Sequence, residues 1–307
     1  MTERNWNEMK ILNFGSLNLD YVYQVPRFLA PGETMAASSV TVVPGGKGLN
    51  QSIALARAGA AVWHAGTVGA GSQMLTDLLS QTGVDLAWLR HSDHIQGNAI
   101  IQVTPSGENA ILLCGGSNRE ITAEQVEETL SHFDAGDWLV LQNEVSCLKE
   151  MITAAAKRGM QIVLNPSPFE AQLLELDLAV VNWLFINEVE GRQMTGNSQP
   201  DAILEALRKR YPQMNVVLTL GKEGAVCDTP TQRVHQPIFP VQAVDTTAAG
   251  DTFTGYFIAA YTQGRNLQEC MARAAAASAI SVTRHGASVS IPLAAEVDAM
   301  LQDMSRL

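Results

Sequence analysis

The sequence predicts an α/β protein, with a mainly parallel central sheet, helices on both of its faces, and a small antiparallel β lid. Three observations carry this. Short apolar runs of strand length alternate with stretches of helical periodicity along most of the 307 residues. Glycines at 59, 83, 159 and 196 each follow a helical stretch, the position where a helix stops. Two segments, 20–43 and 97–114, are instead rich in β-branched residues and turns.

The strand runs are KILNFGS (10–16), AVWHAGTV (61–68), WLVLQ (138–142), QIVLN (161–165), NWLFIN (182–187) and NVVLTL (215–220). Helices are expected over 48–58, 72–82, 148–158 and 188–195, and Thr122 with Gln125 forms a capping box for a helix running to about Phe133. Repeated strand–helix units imply right-handed crossovers. PSGEN at 105–109 reads as a hairpin turn, so the two irregular segments pair into a lid over 20–43 and 95–117. The α/β body then comprises 10–19, 44–94 and 118–307. The bland alternative makes these segments edge strands of the main sheet.

Composition narrows the classes of function. The net charge of −11 supplies no basic surface for nucleic acid or anionic lipid. MTERNWNEMK at the start lacks an apolar signal region, and no later run reaches the length of a membrane span, so the expected compartment is the cytoplasm. Cys114, Cys147, Cys227 and Cys270 show no metal-type spacing and read as reduced, mostly buried thiols. No His pair suits zinc, no GxSxG elbow occurs, and neither a Walker A loop nor GxGxxG is present.

The most informative stretch is VQAVDTTAAGDTFTGYFIAAY, 241–261. It places a helix N-terminus at Ala248, Ala249 and Gly250, where unpartnered amides and about half a positive charge favour a phosphate. Asp251 repels a resting phosphate but suits a hydroxyl that loses its proton while attacking phosphorus. The segment therefore points to phosphoryl transfer to an alcohol.

Other motifs are individually ambiguous. Gly45, Gly46 and Gly48 bare the backbone before a helix, with Lys47 and Asn50 beside it; such a start alone is more often structural. Asn187 and Glu190 after a strand are common capping residues, yet beside a phosphate they suit water-mediated Mg²⁺ contact. Asn18 and Asp20, two apart in extended chain, suit neighbouring sugar hydroxyls, or form a turn. Glu144 follows a strand where ligands bind in open α/β sheets. GKEG at 221–224 is either a tight turn or backbone along a nucleotide.

Together GGKGLNQ, Asn187-x-x-Glu190 and DTTAAGD, in this order from about Lys10 to Pro292, resemble the ribokinase-like or PfkB family of carbohydrate and nucleoside kinases. The resemblance implies transfer of the γ-phosphoryl of ATP to a primary hydroxyl of a pentose-type sugar, ribose first. The alternatives are a nucleoside, another sugar such as deoxyribose, or a catalytically silent sugar- or nucleotide-binding regulator. It implies that Asn18, Asp20, Gly46, Lys47, Asn50 and Glu144 contact the sugar, that Asp251 is the base, and that Ala248, Ala249 and Gly250 form the anion hole. Asn187, Glu190, Thr219, Gly221 and Gly224 then lie along ATP and its Mg²⁺. A potassium ion falls to Asp245, Thr247, Ser281, Arg284, Gly286 and Ser290, several through carbonyls. The lid becomes the seam of a homodimer. Leu19 replaces a small residue of the family, which narrows the sugar pocket or favours a sugar lacking one hydroxyl.

Overall fold

A computed structural model describes residues 9–304. In chain order the strands are β1 (Ile11–Phe14), β2 (Asn18–Gln24), β3 (Ser39–Gly45), β4 (Val62–Ala70), β5 (Asp85–Ile95), β6 (Asn98–Val103), β7 (Asn109–Cys114), β8 (Trp138–Gln142), β9 (Gln161–Asn165), β10 (Trp183–Asn187), β11 (Asn215–Thr219), β12 (Ala225–Asp228) and β13 (Arg233–Gln236). The helices are α1 (Lys47–Arg57), α2 (Gln73–Gln81), α3 (Ala123–Leu130), α4 (Leu148–Arg158), α5 (Glu188–Thr195), α6 (Pro200–Arg210), α7 (Ala249–Thr262), α8 (Leu267–Val282) and α9 (Ala294–Met304).

The main sheet runs β13-β12-β11-β10-β9-β8-β1-β4-β5. From β11 to β5 every pair is parallel, and β12 and β13 add an antiparallel edge. Such a sheet is covered on both faces, so its strands read as unbroken apolar runs. On β8, Trp138 and Val140 join one core with residues of α1, α7 and α8, while Leu139 and Leu141 join the other with residues of α3, α4 and α6. Each fully buried leucine contributes roughly 1.5–3 kcal/mol.

A second sheet runs β3-β2-β6-β7. Its outer pairs are antiparallel, and the central pair of β2 with β6 is parallel. The cause is topological: β2 leaves the body after β1 and β6 after β5, and those two body strands point the same way. The turn between β6 and β7 falls at the predicted PSGEN, closed by Thr104 N donating to Glu108 O (3.0 Å) and Gly107 N to Thr104 O (2.9 Å).

The capping box predicted for α3 is half made. The Thr122 side chain accepts from Gln125 N at 3.2 Å, but the Gln125 side chain reaches instead to Gly66 O (2.9 Å) and Thr67 Oγ1 (3.2 Å), tying α3 to β4. All four cysteines are free; Cys227 and Cys270 are buried, Cys147 is half-buried and Cys114 is exposed. Among the described residues no helix is long and apolar enough to cross a membrane.

Candidate active site

The chain leaves β1 for β4 and β5 on one side and returns to β8 on the other. The crevice at the C-terminal ends of β1 and β8 is therefore the switch point of the sheet, where ligands of open α/β folds bind. Glu144 follows β8 there, Asn165 and Asn187 end β9 and β10, and Thr219 ends β11. From the opposite side come the first turns of α1 and α7.

A close helix crossing aligns those two turns. A Cβ on Gly255 of α7 would lie 2.4 Å from Ala54 Cβ on α1, so only glycine permits the approach. One turn earlier on each helix, Asp251 then faces Asn50 and Gln51. Asn50 Nδ2 donates to Asp251 Oδ2 at 3.1 Å, and Gln51 Nε2 to Oδ1 at 2.9 Å, all with both partners buried. The carboxylate is thus fixed by a donor on each oxygen.

Lys47, the first residue of α1, lies in the same field. Burial pulls its ammonium down, but Asp251, Glu144 and Glu190 outweigh that and hold it above the usual lysine range. It remains a cation. Its backbone amide donates to Glu144 Oε2 at 3.0 Å, and Ser16 Oγ donates to the same oxygen.

Helix α7 begins as predicted. Its N-cap, Ala248, has φ 60° and ψ 9°, a left-handed conformation that costs a residue with a Cβ roughly 1–2 kcal/mol and that recurs at functional sites. A Cβ at Gly250 would meet no atom within 4 Å, so the space beside these amides is open. Two cavities meet there, sharing Thr219, Thr246, Ala249 and Gly250. The smaller, of about 220 Å³, is polar and includes Lys47, Asn187, Glu190, Ala248 and Asp251. The larger, of about 450 Å³, is bounded by Gly221 and Gly224 and walled by Ile238, Phe239, Val241, Ala275 and Ala279. An apolar slot joined to a polar, amide-lined end suits a nucleotide, base first and phosphates last.

Most of the proposed sugar residues lie close together, with Asp20 against Gly45, Gly46 against Asn18, and Glu144 accepting from the Lys47 amide. Asn18 is buried, its Oδ1 accepting from Asn118 Nδ2 at 2.7 Å. Gly46 is the N-cap of α1, and its left-handed φ of 96° turns the chain from β3 into that helix. Asp20 Oδ1 is buried without a partner among the described residues. Burial, reinforced by the charge of Glu144, raises the Asp20 carboxyl to about 7.

That proton has a stability consequence. The unfolded chain ionises Asp20 near 3.8, the ordinary aspartate value, well before the folded protein does, so stability falls as pH climbs from about 4 to about 7 and stays low above. The loss reaches up to about 4 kcal/mol. Asp20→Asn is therefore expected to raise Tm at pH 8 and to raise it much less at pH 4; thermal unfolding at the two pH values checks this.

Leu19 does not narrow the pocket. Strand alternation sends it to the face opposite Asn18 and Asp20, where it packs in the core with Leu17 and Leu49. Asn187 and Glu190 are capping residues and cavity residues at once. They form a complete capping box on α5, Glu190 N to Asn187 Oδ1 at 2.9 Å and Asn187 N to Glu190 Oε2 at 3.0 Å, and they also line the polar cavity. Asn165, whose Oδ1 is buried without a partner among the described residues, lines it as well, and no sequence motif singled it out.

The six cation candidates come together in two segments. Asp245 Oδ1 accepts from Thr247 N (2.9 Å) and Oγ1 (2.6 Å), and Oδ2 from Gly286 N (2.9 Å). The Arg284 guanidinium bonds Glu296 and reaches Ser290 O at 3.5 Å, so its side chain braces the loop. Ser281 and Ser290 are buried, their hydroxyls donating to Ser278 O and Ala287 O. Among the described residues no group of three or more His, Cys, Asp or Glu side chains is placed to hold a metal.

Comparison with known proteins identifies the family. Residues 9–294 match the family described as pfkB family carbohydrate kinase. The chain is 35% identical over 288 residues to a ribokinase of Haemophilus influenzae, covering 91% of this chain and 94% of that one. It is 30% identical over 298 residues to a deoxyribokinase of Salmonella typhi, covering 92% and 96%. The solved structure of Arabidopsis thaliana ribokinase complexed with ribose and ATP superposes with a TM-score of 0.83 at 27% identity, covering 96% of this chain and 99% of that one. The chain belongs to the pfkB family of carbohydrate kinases.

Proposed function

We propose that the protein is a ribose kinase that transfers the γ-phosphoryl of ATP to the primary hydroxyl of the sugar, with Asp251 as base. One observation carries this: a buried carboxylate, fixed by Asn50 and Gln51, stands in the first turn of α7 beside open amides and Lys47. Asn18, Asp20, Gly46 and Glu144 hold the sugar hydroxyls. Asp251 accepts the primary hydroxyl proton as the bond to phosphorus forms, because an alcohol is far too weak an acid to give its proton to a carboxylate beforehand. The amides at Ala248, Ala249 and Gly250, with Lys47, stabilise the charge spread over the transferring oxygens. Thr219, Gly221 and Gly224 lie along the nucleotide.

Asn187 and Glu190 would help to hold Mg²⁺ beside the phosphates, where, when bound, it would neutralise phosphate charge. K⁺ fits the oxygen-rich loops of Asp245, Thr247, Ser281, Gly286 and Ser290, braced by Arg284, and when bound it would steady the turn before α7. Residues 20–43 and 95–117 act as a lid on the body formed by 10–19, 44–94 and 118–307. The exposed Val40, Val42, Ile111 and Leu112 of that sheet support a lid-to-lid homodimer. The enzyme works in the cytoplasm, where ATP is supplied.

The test is a panel of ribose, 2-deoxyribose, hexoses and nucleosides with ATP and Mg²⁺, followed by ADP release. Ribose is expected to give the highest kcat/KM and to stimulate ATP consumption well above the sugar-free rate. The deoxyribokinase relative makes 2-deoxyribose the competing acceptor. Equal ATP consumption with and without every sugar would leave only the silent binder.

A further inference from the structure

We infer that Gln51 is a positioning residue for Asp251, and that a buried, uncharged relay through Gln142, Asn13, Ser52 and His64 imposes its orientation. This rests on Asp251 being the base. Gln51 Nε2 donates to Asp251 Oδ1 at 2.9 Å, while its Oε1 accepts from Gln142 Nε2 at 2.7 Å. Gln142 Nε2 also donates to Asn13 Oδ1 at 2.9 Å. Asn13 Nδ2 donates to Gly48 O at 2.7 Å and to Ser52 Oγ at 2.8 Å, and Ser52 lies 2.8 Å from His64 Nδ1.

Gln51 and the four relay residues, on α1, β1, β4 and β8, are fully buried. Every amide hydrogen of Asn13 and Gln142 is committed, and each commitment fixes the next amide. Flipping Gln51 would set its carbonyl against the Asp251 carboxylate and its NH₂ against that of Gln142. Gln142 Oε1 has no partner among the described residues, and a Cβ at Gly15 would lie 2.3 Å from it. Gly15 thus leaves the room that Gln142 needs. The relay carries no charge, because burial lowers His64 to about 4 against the opposing pull of the Gly15 backbone. Among the described residues, Lys47 on α1 and Glu190 on α5 share the polar cavity with Asp251, and Glu144 after β8 acts on the same Lys47. None lies in the relay.

The test compares Gln51→Met and Gln142→Met with wild type, using ribose and Mg·ATP. For Gln51→Met, kcat is expected to fall about 10- to 100-fold with both KM values nearly unchanged. Loss of one donor also makes the carboxylate more basic, so the acidic limb of the kcat–pH profile should rise by about one pH unit. Gln142→Met, which keeps Gln51 but frees it to rotate, should move both readouts the same way and less far. A Gln51→Met enzyme with wild-type kcat and limb overturns the inference, as does a fall in kcat with the limb unmoved in both variants, which would mean a merely structural role. Asp251→Asn measured alongside separates the two claims: if it retains turnover, the base assignment has failed; if it is inactive while Gln51→Met is normal, only the relay has.

Discussion

Asp251→Asn is expected to lower kcat by roughly 10²- to 10⁴-fold, with the KM for sugar little changed. The substitution keeps the size of the side chain and removes the proton acceptor. Asn50 and Gln51 each donate to Asp251, so the new amide loses one of its two hydrogen bonds and must turn its NH₂ towards a donor. Steady-state kinetics with a melting curve checks this. Because the other proposed sugar contacts lie on β2, at the start of α1 and in the loop after β8, binding should survive while chemistry fails. Unchanged turnover would remove Asp251 from the base role.

Gly250→Val is the second large effect, a loss of turnover of at least roughly 10²-fold, comparable with removing a donor from an oxyanion hole. Gly250 lines both cavities, and no atom lies within 4 Å of where its Cβ would stand. The fold therefore accepts the first carbon, whereas the phosphoryl group loses its space. Tm should change by only a few degrees, since a β-branched residue in the first turn of a helix costs well under 1 kcal/mol. A normal kcat in a folded Gly250→Val enzyme would show that the transferring group lies elsewhere.

Much of the fold is legible because local rules agree. WLVLQ and QIVLN are strands over the predicted residues, and α4 and α5 occupy 148–158 and 188–195, each with a left-handed glycine as its C-cap. The edge strand β5 is not legible, since DLAWLRHSDHI carries charges on a half-exposed face that blur its alternation. Among site residues, the glycine motifs and Asp251 stand out by local chemistry. What binds them together does not: Asn50 and Gln51 meet Asp251 across 201 and 200 residues, through a crossing set by Gly255. The apolar wall of the larger cavity escapes for another reason. Ile238, Phe239 and Val241 lie in a segment without helix or strand, where periodicity has nothing to say. Leu19 misleads because a family comparison by position ignores which face of a strand a residue occupies.

The field around Lys47 bears on how the reaction ends. One ammonium is shared by Asp251, Glu144 and Glu190, so the crevice is anionic overall. A neutral sugar enters it without electrostatic penalty. In the proposed reaction a sugar phosphate, bearing two negative charges beside Asp251, would be held by the amides of α7 and by Lys47. The same carboxylates that surround Lys47 would repel that product, so a site that makes the phosphate ester in the proposed way would also favour its release.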